Sequence, residues 1–332
     1  MLCCIGSTAI AQDTHCEKSN FVYDIDNFNF FDNREVHSPY QRPQTLFGSR
    51  LGVEMGVLFE ANAIKIGAMG VKDFGKNGIA HTDLTFYYHY EEGHFSGAFG
   101  SFPRKCLKQE LPDIFVQDSI RYYSPTLHGA LIQYTSNHGY AEFYCNWLNK
   151  QGVSEREIFE LVTDGRFGHK GYHLGWNIQL THFSVPRPSN GLHVYDKLMI
   201  HPYVGFEKSQ LDWVDAFSIE AGLMLSLNRD RTDMQWKSPM GFLGGLKLRK
   251  GRFALHDRLY AGSPQFSDYD VYGILLHRGD PYYRSNLYNR TDFQFYLLNR
   301  LNVQCYIGAS FHYTKGSLDN SQQVVLRVFP KF

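Results

Sequence analysis

The chain has 332 residues, of which 43% are hydrophobic and 16% aromatic, and its formal net charge at pH 7 is zero. Beyond the N-terminus there is no run of about 18 uninterrupted apolar residues, which excludes a helical membrane protein. The balanced charge gives no support to a nucleic-acid partner, whereas 22 Tyr and 26 Phe residues suit a membrane barrel ringed by aromatic side chains.

The N-terminal residues have features of an export signal. Leu2-Cys3-Cys4-Ile5 is apolar, and Ala9-Ile10-Ala11 forms an A-x-A cleavage pattern before Gln12. The apolar part is short and has no basic region before it, so residues 1–11 are interpreted as the remnant of a signal peptide. A disordered cytosolic N-terminus is the alternative. Residues 12–48 are predicted to be an N-terminal extension, a plug or a first strand, and residues 49–332 a transmembrane β-barrel.

Alternation of apolar with small or polar residues predicts membrane strands in the first half of the chain. One face of residues 50–59 carries Leu51, Val53, Met55, Val57 and Phe59, and one face of residues 83–90 carries Leu84, Phe86, Tyr88 and Tyr90. Further strands are predicted near 62–72, 94–102, 114–123, 127–135, 138–148 and 156–166. Residues 21–31 are left open as either a strand or an inserted segment.

The same period of two continues through the second half. It predicts strands over 172–181, 192–207, 213–226, 233–249, 252–260, 293–297, 303–312 and 323–332, with Asp196 as the exception to the alternation. Many of these runs hold about ten or more residues, whereas strands of soluble sheets usually have about five or six. The length favours a membrane barrel over a soluble β-sandwich.

The fold class predicted is therefore all-β, a transmembrane antiparallel β-barrel of about 16 strands, with 14 as the alternative. If both chain ends lie in the periplasm, counting backward from Phe332 places the loops at 184–191, 228–232, 261–289 and 314–319 outside. In the first half, however, this count puts the short turns at 60–61 and 92–93 outside and the longer connection 103–113 inside. One strand must therefore be miscounted, and the candidates are residues 21–31 and residues 155–166, whose alternation is poor.

Three features give the chain its resemblance to the porin-like outer-membrane barrel proteins of Bacteroidota, a largely uncharacterised group. They are Phe30-Phe31-Asp32-Asn33-Arg34-Glu35 leading to Thr45-Leu46-Phe47-Gly48-Ser49-Arg50, then Asn146-Trp147-Leu148-Asn149-Lys150-Gln151, and the terminal Phe332. The resemblance covers nearly the whole mature chain. It implies the outer membrane of a Gram-negative bacterium, with the lipid bilayer and the insertion machinery as partners. In such proteins the terminal aromatic, here Phe332, is the insertion signal.

The segment 261–289 is predicted to be functional, because a loop of this length in a compact barrel seldom only connects strands. It either folds into the lumen as a constriction, with Arg278, Asp280 and Arg284 filtering solutes, or stands outside as a binding surface. The predicted lumen-lining residues are charged and belong to several strands: Arg50, Glu54, Lys197, Glu220, Arg258, Arg290, Asp292 and Arg327. Asp83 is also expected to face the lumen.

Since basic residues outnumber acidic ones on the inward faces, the function predicted is passive diffusion of small polar solutes with a weak anion preference. The alternative is a non-conducting barrel subunit of a larger outer-membrane complex for secretion or nutrient uptake. An outer-membrane lipid-modifying enzyme is a lesser alternative.

The chain is expected not to be an enzyme. Barrel enzymes need a hydroxyl nucleophile, a base and a third orienting group, and Ser136-Asn137-His138 fits a polar hairpin turn better. No cofactor and no metal site is predicted, since the sequence has neither a C-x-x-C pair nor a Cys/His cluster.

Overall fold

The computed structural model of the protein describes residues 20–189, 191–232 and 234–330. The predictions for the signal segment 1–11 and for Phe332 lie outside the described residues.

The described chain is built almost entirely of long strands. They are β1 (Asn20–Glu35), β2 (Gln44–Phe59), β3 (Asn62–Asp73), β4 (His81–Glu92), β5 (Phe95–Pro103), β6 (Thr126–Ser136), β7 (Gly139–Asn149), β8 (Ile158–His169), β9 (Tyr172–Phe183), β10 (Tyr195–Ser209), β11 (Ala216–Asp230), β12 (Trp236–Lys237), β13 (Met240–Lys250), β14 (Phe253–Gly262), β15 (Leu287–Arg300), β16 (Val303–Thr314) and β17 (Ser317–Val328). The helices are α1 (Asp118–Tyr123) and α2 (Tyr269–Leu276), with short 3₁₀ helices at Arg104–Cys106 and Pro281–Arg284. No helix of the described residues is long and apolar enough to cross a membrane.

Successive strands of the wall pair antiparallel, and the sheet closes where β1 pairs with β17 from Asn27↔Val328 to Glu35↔Asn320. The two residues of β12 pair with β11 just beyond β13, so β12 and β13 form one strand of the wall. The wall therefore has 16 strands. The predicted antiparallel barrel of 16 strands is confirmed.

The apolar residues of the wall point outward, which inverts the burial pattern of a soluble protein. Leu84, Phe86, Phe99, Ile132 and Leu223 are each more than 60% exposed. The alternate positions carry buried polar side chains that face the interior. A soluble protein does not expose so continuous an apolar surface, so this surface is the one that contacts lipid.

The structure explains the miscount in the first half: one wall strand was not counted, and one predicted strand is not a strand. Residues 20–35 form β1, so the segment left open is a wall strand. Residues 114–123, predicted as a strand, instead belong to the connection 104–125 and end in α1. The expected strand was wrong because Ile114, Phe115 and Val116 are all buried, which indicates an internal segment rather than an alternating wall strand.

With these corrections the two ends of the barrel differ as they do in bacterial outer-membrane barrels. At one end the connections are short: 60–61, 93–94, 137–138, 170–171, 210–215, 251–252 and 301–302. By that rule this end is periplasmic. The long connections 104–125 and 263–286 start from the other end, which we call the outer end.

Candidate active site

The two longest connections fold into the barrel and bind one another there. The backbone N–H of Gln117 donates to the Arg278 carbonyl at 2.9 Å, and the N–H of Asp280 donates to the Asp113 carbonyl at 2.8 Å. A Cβ on Gly279 would lie only 1.9 Å from the carbonyl oxygen of Ile114. Loops 104–125 and 263–286 therefore form one closely packed unit, which we call the plug.

Aromatic and aliphatic side chains make up the interior of the plug. Phe115, Phe266, Tyr282 and Tyr283 are each less than 5% exposed and join one hydrophobic cluster with side chains of the wall. Buried tyrosine hydroxyls find carboxylate partners: Tyr283 donates to Asp113 at 2.8 Å. The plug is thus a packed core inside the barrel.

Ion pairs attach the plug to the wall, and Arg290 of β15 is at their centre. Its Nη2 lies 2.8 Å from Asp118 and its Nε 2.8 Å from Asp292, while Asp113 and Asp280 are each 3.8 Å away. The Arg290 side chain is 6% exposed. Three of its four carboxylate neighbours belong to the plug, so this one guanidinium holds both loops.

The same cluster shifts the pKa values of plug carboxylates in opposite directions. Burial raises the pKa of Asp280 to about 6, with Asp113 and Asp118 acting in the same direction and Arg290 opposing. Burial alone would also raise the pKa of Asp118, but Arg290 and the neighbouring arginines outweigh it and hold that pKa well below its usual value.

The three residues predicted to form a constriction all lie in the plug. Arg278 is 3.3 Å from Glu160 of the wall, and Asp280 accepts a hydrogen bond from Gln41 at 2.9 Å. Arg284 pairs with the exposed Asp270 at 2.8 Å. The structure does not bring the three together around an opening, and their role as a solute filter stays a prediction.

The predicted lumen-lining residues divide between two cavities and the plug. A cavity of about 300 Å³ is lined by Arg50, Glu54 and Arg327, and a second of about 380 Å³ by Arg50, Glu220, Arg258, Arg290, Asp292 and Arg327. Lys197, 2% exposed, instead packs under the plug, with its ammonium 4.5 Å from the Phe266 ring centre and 3.1 Å from His277 Nδ1.

A different group of polar residues lies on the outer wall near the outer end. Ser101 Oγ of β5 is 3.0 Å from His128 Nδ1 of β6, and His128 Nε2 is 3.6 Å from the Asp83 carboxylate of β4. The side chains of His128 and Asp83 are 44% and 21% exposed. A hydroxyl, an imidazole and a carboxylate in series are the elements of a nucleophilic triad.

The register of three adjacent strands creates this arrangement. Ser101 is directly opposite His128 in the β5–β6 pairing. Ser101 is on the same outward face of β5 as the exposed Phe99, and His128 is on the same outward face of β6 as the exposed Ile132. Pairing of β4 with β5 begins only at Phe86↔Ser101, so Asp83 pairs with Met69 of β3 but lies beyond the part of β4 that pairs with β5.

Glycine next to Ser101 allows the strands to approach closely. Gly100 has a φ of +125°, and a Cβ there would lie 2.3 Å from the Phe86 carbonyl oxygen. Residues with a side chain rarely adopt that φ. On the other strand, the backbone N–H of His128 donates to the buried Asn146 side chain at 3.1 Å. Both features fix the backbone that carries the serine and the histidine.

The proton of Ser101 has two competing acceptors. Its hydroxyl oxygen is 2.7 Å from the Leu84 carbonyl oxygen as well as 3.0 Å from His128 Nδ1. Because the hydroxyl carries one hydrogen, it donates either to the carbonyl or to the imidazole. Rotation about the Cβ–Oγ bond of Ser101 therefore turns the hydroxyl hydrogen from the Leu84 carbonyl oxygen toward His128 Nδ1.

Sequence reasoning did not find this site. Asp83 was expected to face the lumen, yet its carboxylate reaches His128 on the outer surface. The three residues are far apart in sequence, and only the register brings them together. Ser136 and His138, weighed as a possible pair, are the last residue of β6 and a residue of the short β6–β7 connection, and the His138 N–H donates to Ser136 Oγ at 3.3 Å as in a polar turn.

Comparison with known proteins gives a family match over almost the whole chain. A profile of the lipid A 3'-O-deacylase-type family matches residues 12–332. No curated protein matches the sequence. The prediction that the chain is not an enzyme is therefore wrong, because the description of the matched family is that of an enzyme.

Solved outer-membrane barrels share the fold at low sequence identity. OmpT of Vibrio cholerae lacking loop L8 is 9% identical with a TM-score of 0.57, covering 94% of this chain and 99% of that one. The anion-selective porin of Comamonas acidovorans is 12% identical with a TM-score of 0.56, covering 94% and 100%. OpdL of Pseudomonas aeruginosa is 10% identical with a TM-score of 0.56, covering 94% and 99%. The predicted porin-like outer-membrane barrel is thus confirmed as a fold.

Proposed function

Because the chain belongs to the lipid A 3'-O-deacylase-type family, we propose that it is an outer-membrane hydrolase that removes an ester-linked acyl chain from a lipid of the outer leaflet. The family description indicates lipid A as the substrate class. The observation that carries the proposal is the contact of 3.0 Å between Ser101 Oγ and His128 Nδ1, with Asp83 on the far side of the ring, on the surface that faces lipid.

The position of the triad suits an ester at the boundary between headgroup and acyl chains. Ser101 is two residues from Pro103, where β5 ends toward the outer loops. Below it on the same face is Phe99, 69% exposed, and beside it on β4 is Phe86, 65% exposed. An acyl chain lying along these two rings would place its carbonyl carbon near the Ser101 hydroxyl.

Each residue then has a defined role in acyl transfer. Ser101 Oγ attacks the ester carbonyl while His128 Nδ1 takes the hydroxyl proton, and the carboxylate of Asp83 holds the imidazole and stabilises its charged form. Collapse of the tetrahedral intermediate breaks the bond to the sugar oxygen, which takes the proton from His128. A water molecule, deprotonated by His128, then hydrolyses the acyl-serine and releases the fatty acid.

The test is deacylation of lipid A by the full chain in detergent micelles, followed by mass spectrometry of the lipid. We expect loss of one acyl group with wild-type protein, none with Ser101→Ala, and a rate lowered on the order of 10²–10⁴-fold by His128→Ala. Labelling by a fluorophosphonate probe should disappear in Ser101→Ala.

Matched controls are Ser136→Ala and His138→Ala, which alter the polar turn at the other end of the barrel. Both should deacylate like wild type, and all variants should keep the heat-dependent gel migration of folded barrels. Unchanged deacylation by folded Ser101→Ala would rule out the proposed nucleophile, and intact lipid A with wild-type protein would rule out the proposed activity.

A porin-like channel for small polar solutes, with an anion preference, is the second candidate. The observation in its favour is the polar lumen beneath the plug, where the two cavities have arginine side chains in their walls. Conduction would require the plug to leave the position it has in this structure. The two functions are compatible, because the triad is outside the barrel and the cavities are inside.

A further inference from the structure

The lipid-facing wall has two chemically different halves. From β3 to β13 its lipid-facing positions are mainly apolar, whereas from β14 through β17 to β2 the middle and outer parts of the strands include hydrogen-bonding side chains. Six of these form what we call the amide wall: Asn33, Asp257, Asn289, Thr291, Asn320 and Gln322. The triad is on the apolar half.

Three amides of this wall form a hydrogen-bonded ladder across neighbouring strands. Asn33 Nδ2 of β1 donates to Gln322 Oε1 of β17 at 2.7 Å, and Gln322 Nε2 donates to Asn320 Oδ1. Thr45 Oγ1 of β2 donates to Asn33 Oδ1 at 2.8 Å. These bonds fix the side chains on the surface, so the polar strip is an ordered feature.

On β17 the ladder lies between apolar residues of the lipid-facing surface. On β17, Leu318 and Val324 flank the two amides on the same face and are 57% and 42% exposed. In the pairing with β16, Asn320 and Gln322 are opposite Phe311 and Ala309. Polar groups are therefore placed between apolar ones that contact lipid.

A carboxylate repeats this arrangement on the adjoining strands. Asp257 accepts from Asn289 Nδ2 at 3.1 Å and from Thr291 Oγ1 at 2.5 Å. Leu259, two residues outward on β14, is 38% exposed, and Phe293, two residues from Thr291 on β15, is 51% exposed. An ionisable residue at such a depth is costly in lipid and marks a functional position.

The amides retain bonding capacity that lipid cannot satisfy. A primary amide has two donor hydrogens and two acceptor lone pairs, and the bonds described above use only one of these positions on Asn320 and two on Gln322. In hydrocarbon each unmet position is costly, so side chains of this kind commonly bind across protein interfaces. The amide wall is thus better suited to contact with another protein surface than with lipid.

The hydrogen-bonding groups of the amide wall indicate which partner is complementary to it. Amides are donors and acceptors at once, so the same surface on a second molecule is complementary to it, as symmetric interfaces require. The six residues lie on β14, β15, β17 and β1, and the whole lipid-facing surface of the six adjacent strands from β14 to β2 measures about 950 Å² at about 4.8 Å spacing and roughly 33 Å of strand length. Stable interfaces bury about 800 Å² per partner, so this surface has room for one.

We propose that the amide wall is the interface through which copies of this chain associate within the membrane. The triad half of the barrel then stays open to lipid in each copy. The proposal is independent of the hydrolase activity, because none of its six residues belongs to the triad.

The experiment is native mass spectrometry of the full chain, extracted from membranes into nanodiscs. The variant Asn33→Leu/Asn320→Leu/Gln322→Leu replaces the ladder by apolar side chains that lipid accepts, and Ile64→Leu/Ile66→Leu/Ile132→Leu makes an equal number of leucines on the apolar half. We expect a homo-oligomer for wild type and for the control, and the mass of one chain for the ladder variant, with all three migrating as folded barrels.

Two results would overturn the proposal. One is a wild-type protein with the mass of a single chain, whether alone or with a different protein or retained lipid. The other is a folded ladder variant that keeps the oligomeric mass of wild type. Ser101→Ala should keep that mass, so a failure of the proposed hydrolase activity would not be confused with a failure of the interface.

Discussion

Removing Arg290 should release the plug while leaving the barrel wall folded. In Arg290→Met the side chain keeps most of its volume, but Asp118 and Asp292 lose an ion-pair partner at 2.8 Å. Breaking a buried ion pair by removing one member costs about 3–5 kcal/mol. The lower end applies here, because Asp118 keeps Arg121 at 2.7 Å and Asp292 keeps Arg258. At about 1.4 kcal/mol per factor of ten, a cost of about 3 kcal/mol corresponds to a plug whose opening equilibrium rises on the order of 10²-fold.

Hydrogen exchange measures this opening directly. The N–H groups of Gln117 and Asp280 bond only between the two loops, so their exchange reports separation of the loops. We expect exchange in 104–125 and 263–286 to accelerate about a hundredfold or more, whereas amides of the wall strands keep their protection. Arg290→Met/Asp118→Asn, which also removes one of the carboxylates that Arg290 neutralised, should recover part of the protection.

Arg327, another arginine of the same lumen, provides a control substitution for Arg290→Met. Arg327 pairs with Asp26 at 2.8 Å but is 33% exposed, and solvent screens such a pair. Arg327→Met should therefore change loop exchange by less than tenfold. If Arg290→Met changed it as little, or accelerated the wall strands equally, Arg290 would not be what holds the plug.

Two further outcomes concern the plug. Asp280 has a pKa of about 6 in the folded protein against 3.8 in the unfolded chain. The folded state therefore binds more protons between pH 4 and 6, and docking of loop 263–286 should weaken as pH rises through that window, by on the order of 2–3 kcal/mol. Protection factors of the loop should fall with pH in wild type and stay level in Asp280→Asn; parallel curves would contradict this. In planar bilayers, deleting residues 264–286 should enlarge or create conductance steps, and equal, silent recordings from both proteins would argue against a channel.

The wall could be predicted from sequence because each membrane strand repeats one local rule. Alternation placed most strands correctly, and it failed where side chains do not obey that rule. Asn27 and Asn29 interrupt the lipid face of β1, which hid a true strand. Ile114, Val116 and Ile120 alternate as if in a wall strand, but they pack inside the plug.

The candidate active site could not be predicted in the same way. Ser101, His128 and Asp83 have ordinary neighbours in sequence, and each is one polar residue near the end of an apolar run. Their juxtaposition depends on the β5–β6 register and on the end of β4–β5 pairing at Phe86. Both are properties of the closed sheet, not of any single segment.

Loop 104–125 has a mechanical consequence, because its two ends continue the strands of the triad. It leaves β5 three residues after Ser101 and enters β6 three residues before His128, while its middle is tied to Arg290 across the lumen. The loop thus connects an ion pair inside the barrel to the two wall strands that carry Ser101 and His128. Any displacement of the middle of the loop inside the lumen therefore acts on the strand ends next to Ser101 and His128.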